Sequence, residues 1–198
     1  MSEQFSLAGF DLPEPPKTRP TDRLFFALQP DPETAARIAR LGGELRETHG
    51  LTGRVTGAER LHTTLLHLGD YVGFPEDLAR RAIAVAAALP PIAPFGVTYD
   101  RIMSFRRPKS LPFILCSSDE LAGLKTLQQS LETAMRKAQV VTKRESFYPH
   151  VTLLYDDRSV SEQPLAQAVS WPVHEFVLVH SLLGQTKHVV LERFALRG

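Results

Sequence analysis

The chain has 198 residues, of which 43% are hydrophobic, so it is long enough to bury a substantial core. Its 23 Lys and Arg residues and 22 Asp and Glu residues leave a net charge of +1, which argues against bulk binding of polyanions but not against a local basic groove. No apolar run approaches the roughly 20 residues of a membrane span, no secretory signal opens the chain, and the single Cys116 cannot form an internal disulfide, so we expect a reduced, cytoplasmic protein.

The first 20 residues are polar and rich in proline, with too few apolar side chains to fold alone. We interpret residues 1–20 as a flexible leader, for which the sequence identifies no partner. Residues 21–198 are interpreted as a single domain with two lobes.

The first half of this region alternates strands and helices. Residues 23–28 predict a strand, and Asp31-Pro32-Glu33 then predicts a helix start, with an N-cap, a proline in the first turn and an acidic residue behind it. This helix is expected to end near Gly50. A second helix is predicted to begin around Pro75 and to stop at Pro90-Pro91.

Two strands are predicted next, over residues 96–105 and 113–117, followed by a third helix capped by Ser118 or Asp119. The loop between these strands, residues 106–109, is the densest basic patch in the chain. It is interpreted either as a solvated charged loop or as a surface that meets RNA phosphates.

The end of the chain contains a connection with Pro164, interpreted as a loop or a short helix, and two final strands over residues 173–183 and 188–196. The resulting order, in which a strand-helix-strand unit occurs twice, indicates a rough duplication. We predict an α+β fold: a two-lobed, pseudo-symmetric duplication with antiparallel or mixed sheets flanked by helices around a central cleft.

Two predicted strands, near residues 61–68 and 149–155, carry the same pattern, His-x-Thr-Leu. Because residues i and i+2 of a strand share a face, His62 lies beside Thr64, and His150 lies beside Thr152. Their neighbours in the sequence are expected to point toward the core. The same alternation predicts that His67 points away from the face that carries His62.

This pattern suits acid–base chemistry around an anion. Two imidazoles across a cleft can act as general base and general acid at once, and threonine hydroxyls can donate to the oxygens of an anionic intermediate. The chain has no Gly-x-Ser-x-Gly elbow, no His-Glu-x-x-His and no Cys-x-x-Cys, so a nucleophile or metal motif is not indicated. The residues therefore indicate metal-free phosphodiester chemistry of the ribonuclease type.

The paired motifs, with Arg23 to Leu28 as an opening strand, resemble the 2H phosphoesterase superfamily, in particular its bacterial RNA 2′,3′-cyclic phosphodiesterases, also called 2′-5′ RNA ligases. The resemblance implies opening of a ribose 2′,3′-cyclic phosphate to a 2′-phosphate, without cofactor or metal and with reversible 2′-5′ ligation as a second activity. It implies that one histidine activates water and the other protonates the 3′-oxygen, while Thr64 and Thr152 hold the non-bridging oxygens. The sequence does not assign base and acid between His62 and His150.

The chain departs from this family at two positions. Tyr155 stands where an arginine often follows the second motif, and His188 stands where the last hairpin often presents a tyrosine. Six residues are candidate substrate contacts: Phe105, Arg106, Arg107, Lys109, Tyr155 and His188. The other histidines, His49, His67, His174 and His180, are interpreted as ordinary half-buried residues, and the aromatic pair before the second motif, Phe147 and Tyr148, is interpreted as packing.

Two other functions stay open at this point. The first prediction is a monomeric enzyme that acts on RNA or nucleotides. The two alternatives are a non-catalytic module that binds RNA ends and a phosphodiesterase for another small cyclic-phosphate nucleotide. Turnover of a 2′,3′-cyclic phosphate distinguishes the first of these from the second.

Overall fold

The computed structural model describes residues 19–105, 111–142 and 146–198. Within these ranges the strands are β1 (Asp22–Leu28), β2 (Thr63–Tyr71), β3 (Phe95–Ser104), β4 (Leu111–Cys116), β5 (His150–Asp156), β6 (Gln163–Val173), β7 (Glu175–Leu182) and β8 (Lys187–Ala195). The helices are α1 (Pro32–Thr48), α2 (Glu76–Ala87) and α3 (Ala122–Lys137), with a short 3₁₀ helix at Ala58–Arg60. The predicted leader, residues 1–20, lies almost entirely outside the described residues.

The eight described strands form one sheet in the order β6-β3-β4-β5-β2-β1-β7-β8, and every pair in it is antiparallel. The two strands that carry the His-x-Thr motifs, β2 and β5, are neighbours at its centre. Four strands on one side (β2, β1, β7, β8) form the His62 half, and four on the other (β5, β4, β3, β6) form the His150 half. This arrangement confirms the α+β fold, with three helices in the described chain.

The sheet buries its two faces differently. All three helices contribute to one main core, which includes Ile38 of α1, Ala82 of α2 and Leu131 of α3, each 0% exposed. The opposite face of β1 and β7 holds a small second cluster formed by Phe25, Ala27, Val177 and Val179, with Val190 packed against it. None of the helices in the described residues is long and apolar enough to cross a membrane.

Two predicted elements differ from the structure. The connection containing Pro164 is not a loop or a short helix but the strand β6. Proline is tolerated there because β6 is an edge strand, where a missing N–H breaks few ladder bonds. The third helix is not capped by Ser118 or Asp119, since it begins at Ala122. The Ser118 backbone N–H and hydroxyl instead donate to Asp100 of β3, which removes Ser118 from capping.

The far end of β5 is tied to the loop after α1 through one carboxylate, that of Asp156, which is 8% exposed. It accepts four backbone N–H groups: Thr52 and Gly53 at 2.7 Å, Asp157 at 2.9 Å and Arg158 at 3.0 Å. These bonds hold the pKa of the Asp156 carboxyl well below its usual range. The loop lies so close to β5 that a Cβ on Gly53 would come within 2.0 Å of the Tyr155 carbonyl oxygen.

Candidate active site

The two motif histidines are held in the same way by the backbone. His62 lies directly before β2 and His150 begins β5, and both side chains are half-buried. The Nδ1 of each ring lies 2.7 Å from the carbonyl oxygen two residues earlier, that of Arg60 for His62 and that of Tyr148 for His150. A carbonyl only accepts, so Nδ1 carries the proton in each ring and Nε2 is the nitrogen that can take or give a proton.

The two half-sites meet where the two halves of the sheet join. Thr63 of β2 pairs with Val151 of β5 in antiparallel register, and both residues are 0% exposed. Continued by one residue each way, this register places Thr64 alongside His150 and Thr152 alongside His62. The predicted orientation of the motifs is therefore confirmed: the residues between the histidine and threonine positions are buried, and the four motif residues are half-buried.

Both central strands bulge directly after the motif. The register skips Leu65 in β2 and Leu153 in β5, so one extra residue is inserted in each strand. The bulges place His67 opposite Phe25, on the face of Thr64, and Tyr155 opposite Pro112, on the face of Thr152. The prediction that His67 points away is wrong, because strict alternation does not survive an inserted residue.

The Asp70 carboxylate, near the end of β2, contacts the side chains of Arg23 and His67. Arg23 donates to Asp70 through Nε at 2.6 Å and Nη2 at 2.7 Å, and His67 Nε2 lies 3.0 Å from the same carboxylate. The guanidinium lowers the pKa of Asp70 to about 2. The charge of Arg23 also interacts with Tyr155, so this cluster lies close to the β5 side of the site.

Aromatic rings flank both histidines. In the His62 half, Phe25 and His188 lie with ring centroids 4.8 and 5.3 Å from that of His62. In the His150 half, Phe105 lies 5.4 Å from His150 and 4.9 Å from Tyr148. The Tyr148 side chain is 45% exposed, so the interpretation of this residue as packing misses a ring surface beside His150.

Burial and nearby cations keep two of these rings neutral. The pKa of His62 is lowered from 6.5 to about 4, chiefly by burial and further by the charges of His150 and Arg60, although its bond to the Arg60 carbonyl acts in the opposite direction. The pKa of His188 is also lowered to about 4, by burial and then by the charges of His62, Arg60 and Arg23. The interaction between His62 and His150 places the two motif rings within electrostatic range of each other.

At pH 7 we therefore expect His62 and His188 to be uncharged, and to gain protons only as the pH falls from 6.5 toward about 4. NMR titration of the ring Cε1–H signals checks this, with the urea-unfolded protein, whose histidines titrate near about 6.5, as the control. Inorganic phosphate should raise the midpoint of His62, because an anion stabilises the imidazolium. Midpoints near 6.5 for both rings in the folded protein would contradict the burial that the structure shows.

The structure brings together His62, His150, Thr64, Thr152, Phe105 and His188. Tyr155 lies farther along β5, on the face of Thr152. Arg106, Arg107 and Lys109 lie outside the described residues. In the described part of the chain, no three His, Cys, Asp or Glu side chains converge so that they could hold a metal ion. His180 is a half-buried residue as predicted, with Nε2 2.5 Å from Asp22, whereas the same prediction for His174 is wrong because its side chain is exposed.

A family model described as the 2′-5′ RNA ligase superfamily matches residues 26–185, which include both motifs. The chain belongs to this superfamily. The resemblance to the 2H phosphoesterases noted in the sequence is therefore confirmed at the level of the family.

Solved structures with the same fold support this membership in the 2′-5′ RNA ligase superfamily. LigT from E. coli in its apo form is 25% identical, with a TM-score of 0.73 over 91% of this chain and 100% of LigT. LigT complexed with 3′-AMP is 25% identical, with a TM-score of 0.74 over 89% of this chain and 99% of LigT. TT0787 of Thermus thermophilus is 25% identical, with a TM-score of 0.69 over 89% of this chain and 98% of TT0787. A search of curated protein sequences gave no match.

Proposed function

We propose that this member of the 2′-5′ RNA ligase superfamily hydrolyses the 2′,3′-cyclic phosphate at the end of an RNA or nucleotide to a 2′-phosphate, without a metal ion or cofactor. The observation that carries the proposal is the matched pair of histidines at the junction of β2 and β5. Each ring is bonded through Nδ1 to a carbonyl oxygen at 2.7 Å, so Nε2 is the nitrogen of each ring that suits the role of base or acid.

The proposed reaction needs one proton removed and one delivered. The Nε2 of one histidine takes a proton from water as the water oxygen attacks phosphorus. The bond between phosphorus and the 3′-oxygen breaks, and the protonated Nε2 of the other histidine donates to that oxygen. The product is a 2′-phosphate with a free 3′-hydroxyl, and the proton returns from one ring to the other through solvent.

The threonines suit the non-bridging phosphate oxygens. Thr64 and Thr152 are half-buried and lie on the same two strands as the histidine motifs. A hydroxyl that donates to a developing negative charge stabilises the transition state more than the ground state. With the 5′-hydroxyl of a second strand in place of water, the same groups would open the cyclic phosphate to a 2′-5′ linkage, and the reverse step would cleave that linkage and re-form the cyclic phosphate. The family name describes this ligase activity.

Relatives of this chain bind compounds of the expected class. E. coli LigT has been solved with phosphate, at 27% identity, and with 3′-AMP, at 25% identity. In this chain Phe105 lies beside His150 and His188 lies beside His62. These two rings and Tyr155 of β5 are proposed to contact the nucleoside, while Arg106, Arg107 and Lys109 stay predictions. A monomeric state and a cytoplasmic location are also part of the proposal and rest on the sequence.

Phosphorus NMR of a 2′,3′-cyclic nucleotide, with EDTA present throughout, tests this function. We expect the cyclic phosphate signal to be replaced by that of a 2′-phosphate, because the proposed leaving group is the 3′-oxygen. A 3′-phosphate product would contradict that leaving group, and loss of turnover with EDTA would contradict the metal-free mechanism. Binding of the nucleotide without turnover would identify a non-catalytic module that binds RNA ends. Turnover confined to another cyclic-phosphate nucleotide would identify a phosphodiesterase for that nucleotide.

A further inference from the structure

The two half-sites share a backbone arrangement but differ in one side chain. Arg60 and Tyr148 occupy equivalent positions, because each supplies the carbonyl oxygen that accepts the Nδ1–H of its histidine at 2.7 Å. The His62 half therefore carries an arginine at the position where the His150 half carries a tyrosine. A site that is symmetric in its histidines and threonines is thus asymmetric in charge.

The guanidinium of Arg60 has no partner in the described residues. Its Nε atom is buried without a hydrogen bond, and no carboxylate in the described chain forms an ion pair with it. Arg23 is the opposite case, because Asp70 accepts two of its N–H groups and neutralises its charge. Arg60 as a whole is only half-buried, so a ligand at the exposed part of its side chain supplies acceptors that the described chain does not.

The positive charge of Arg60 acts on the outer part of the His62 half. It lowers the pKa of both His62 and His188, whose ring centroids are 5.3 Å apart. His188 belongs to β8, at the edge of the sheet farthest from the His150 half. The charge therefore lies beside the site, next to His62, in a region where both imidazoles are neutral.

We propose that Arg60 binds a second phosphate group of the substrate, the phosphodiester on the 5′ side of the nucleotide that carries the cyclic phosphate. The inference rests on the proposed function and adds a direction to it, since an RNA strand would leave the site past His62. A guanidinium suits this role because its planar N–H groups match two phosphate oxygens. The exposed ring of Tyr148 in the other half offers a surface for a base but no charge.

Binding of two nucleotides tests the inference without requiring turnover. Adenosine 3′,5′-bisphosphate carries a 5′-phosphate in place of the phosphodiester, whereas 3′-AMP lacks it. By calorimetry at fixed salt we expect the protein to bind the bisphosphate about 10- to 100-fold more tightly, and Arg60→Ala to lose this ratio. Arg60→Lys should keep part of it, because the charge stays while the forked geometry is lost.

Arg80→Ala is the matched control, since it removes one positive charge from the exposed surface of α2. It should leave the ratio of the two affinities as in the unmodified protein. Equal binding of the two nucleotides, or an Arg60→Ala variant that keeps the ratio, would overturn the second phosphate site. Turnover of a cyclic mononucleotide is measured separately, so failure of the proposed function is distinguished from failure of this inference.

Discussion

Replacement of either His62 or His150 by alanine is expected to lower the rate of cyclic phosphate hydrolysis by about 10²–10⁴-fold. Each variant removes one of the two Nε2 atoms that the proposed reaction requires, while the carbonyl oxygens of Arg60 and Tyr148 stay in place. The double variant should be little slower than the worse single variant, because two groups that act in one step do not contribute additively. Steady-state rates with a 2′,3′-cyclic nucleotide, followed by phosphorus NMR, provide the measurement.

His174→Ala is the control for this pair, since it makes the same chemical change at an exposed residue between β6 and β7. It should leave the rate unchanged. Urea unfolding of all variants separates loss of the reacting group from loss of the fold. If either single variant kept more than about a tenth of the activity while folded, its histidine would not be the proposed base or acid.

Asp156→Asn is expected to reduce the free energy of unfolding by roughly 2 to 4 kcal/mol. The carboxylate accepts four backbone N–H groups, and an asparagine would turn an NH₂ group toward two of them. Asp119→Asn, the same chemical change at an exposed position, is the control and should change stability by less than about 0.5 kcal/mol. Urea denaturation at pH 7 measures both.

The pH dependence gives a second measurement on the same residue. Because the folded-state pKa of Asp156 lies below its ordinary value of 3.8, its stabilisation is complete above that pH and is lost as the pH falls below it. The difference between the unmodified protein and Asp156→Asn should therefore shrink in acid. A difference that stayed constant down to pH 2 would show that the carboxylate charge does not contribute.

The paired motifs were predictable because their signal is local. His62 and Thr64 need only a strand to share a face, and β-strand periodicity states this without knowledge of the fold. The neighbours of the motif strands in the sheet were not predictable in the same way, because the Thr63–Val151 pairing joins segments far apart in the chain.

The residues that sequence reasoning missed depend on irregular backbone or on distant contacts. His67 lies on the same face of β2 as Thr64 only because the strand bulges at Leu65, and no residue type in the sequence predicts that bulge. In the sequence, Arg60 does not differ from the other cationic residues, and only the structure shows that its Nε is buried without an acceptor. Asp156 is the last residue of β5, and only the fold brings Thr52 and Gly53 to its carboxylate.

The order of strands in the sheet has a consequence for how the chain assembles. The His150 half is contiguous in sequence, from β3 to β6, whereas the His62 half combines β1 and β2 with β7 and β8 from the other end of the chain. During synthesis, β1 can therefore pair with β7 only after β7 has left the ribosome. Pairing between strands so far apart in the sequence is slow. We expect the His150 half to form first and to serve as the template on which both chain ends are joined.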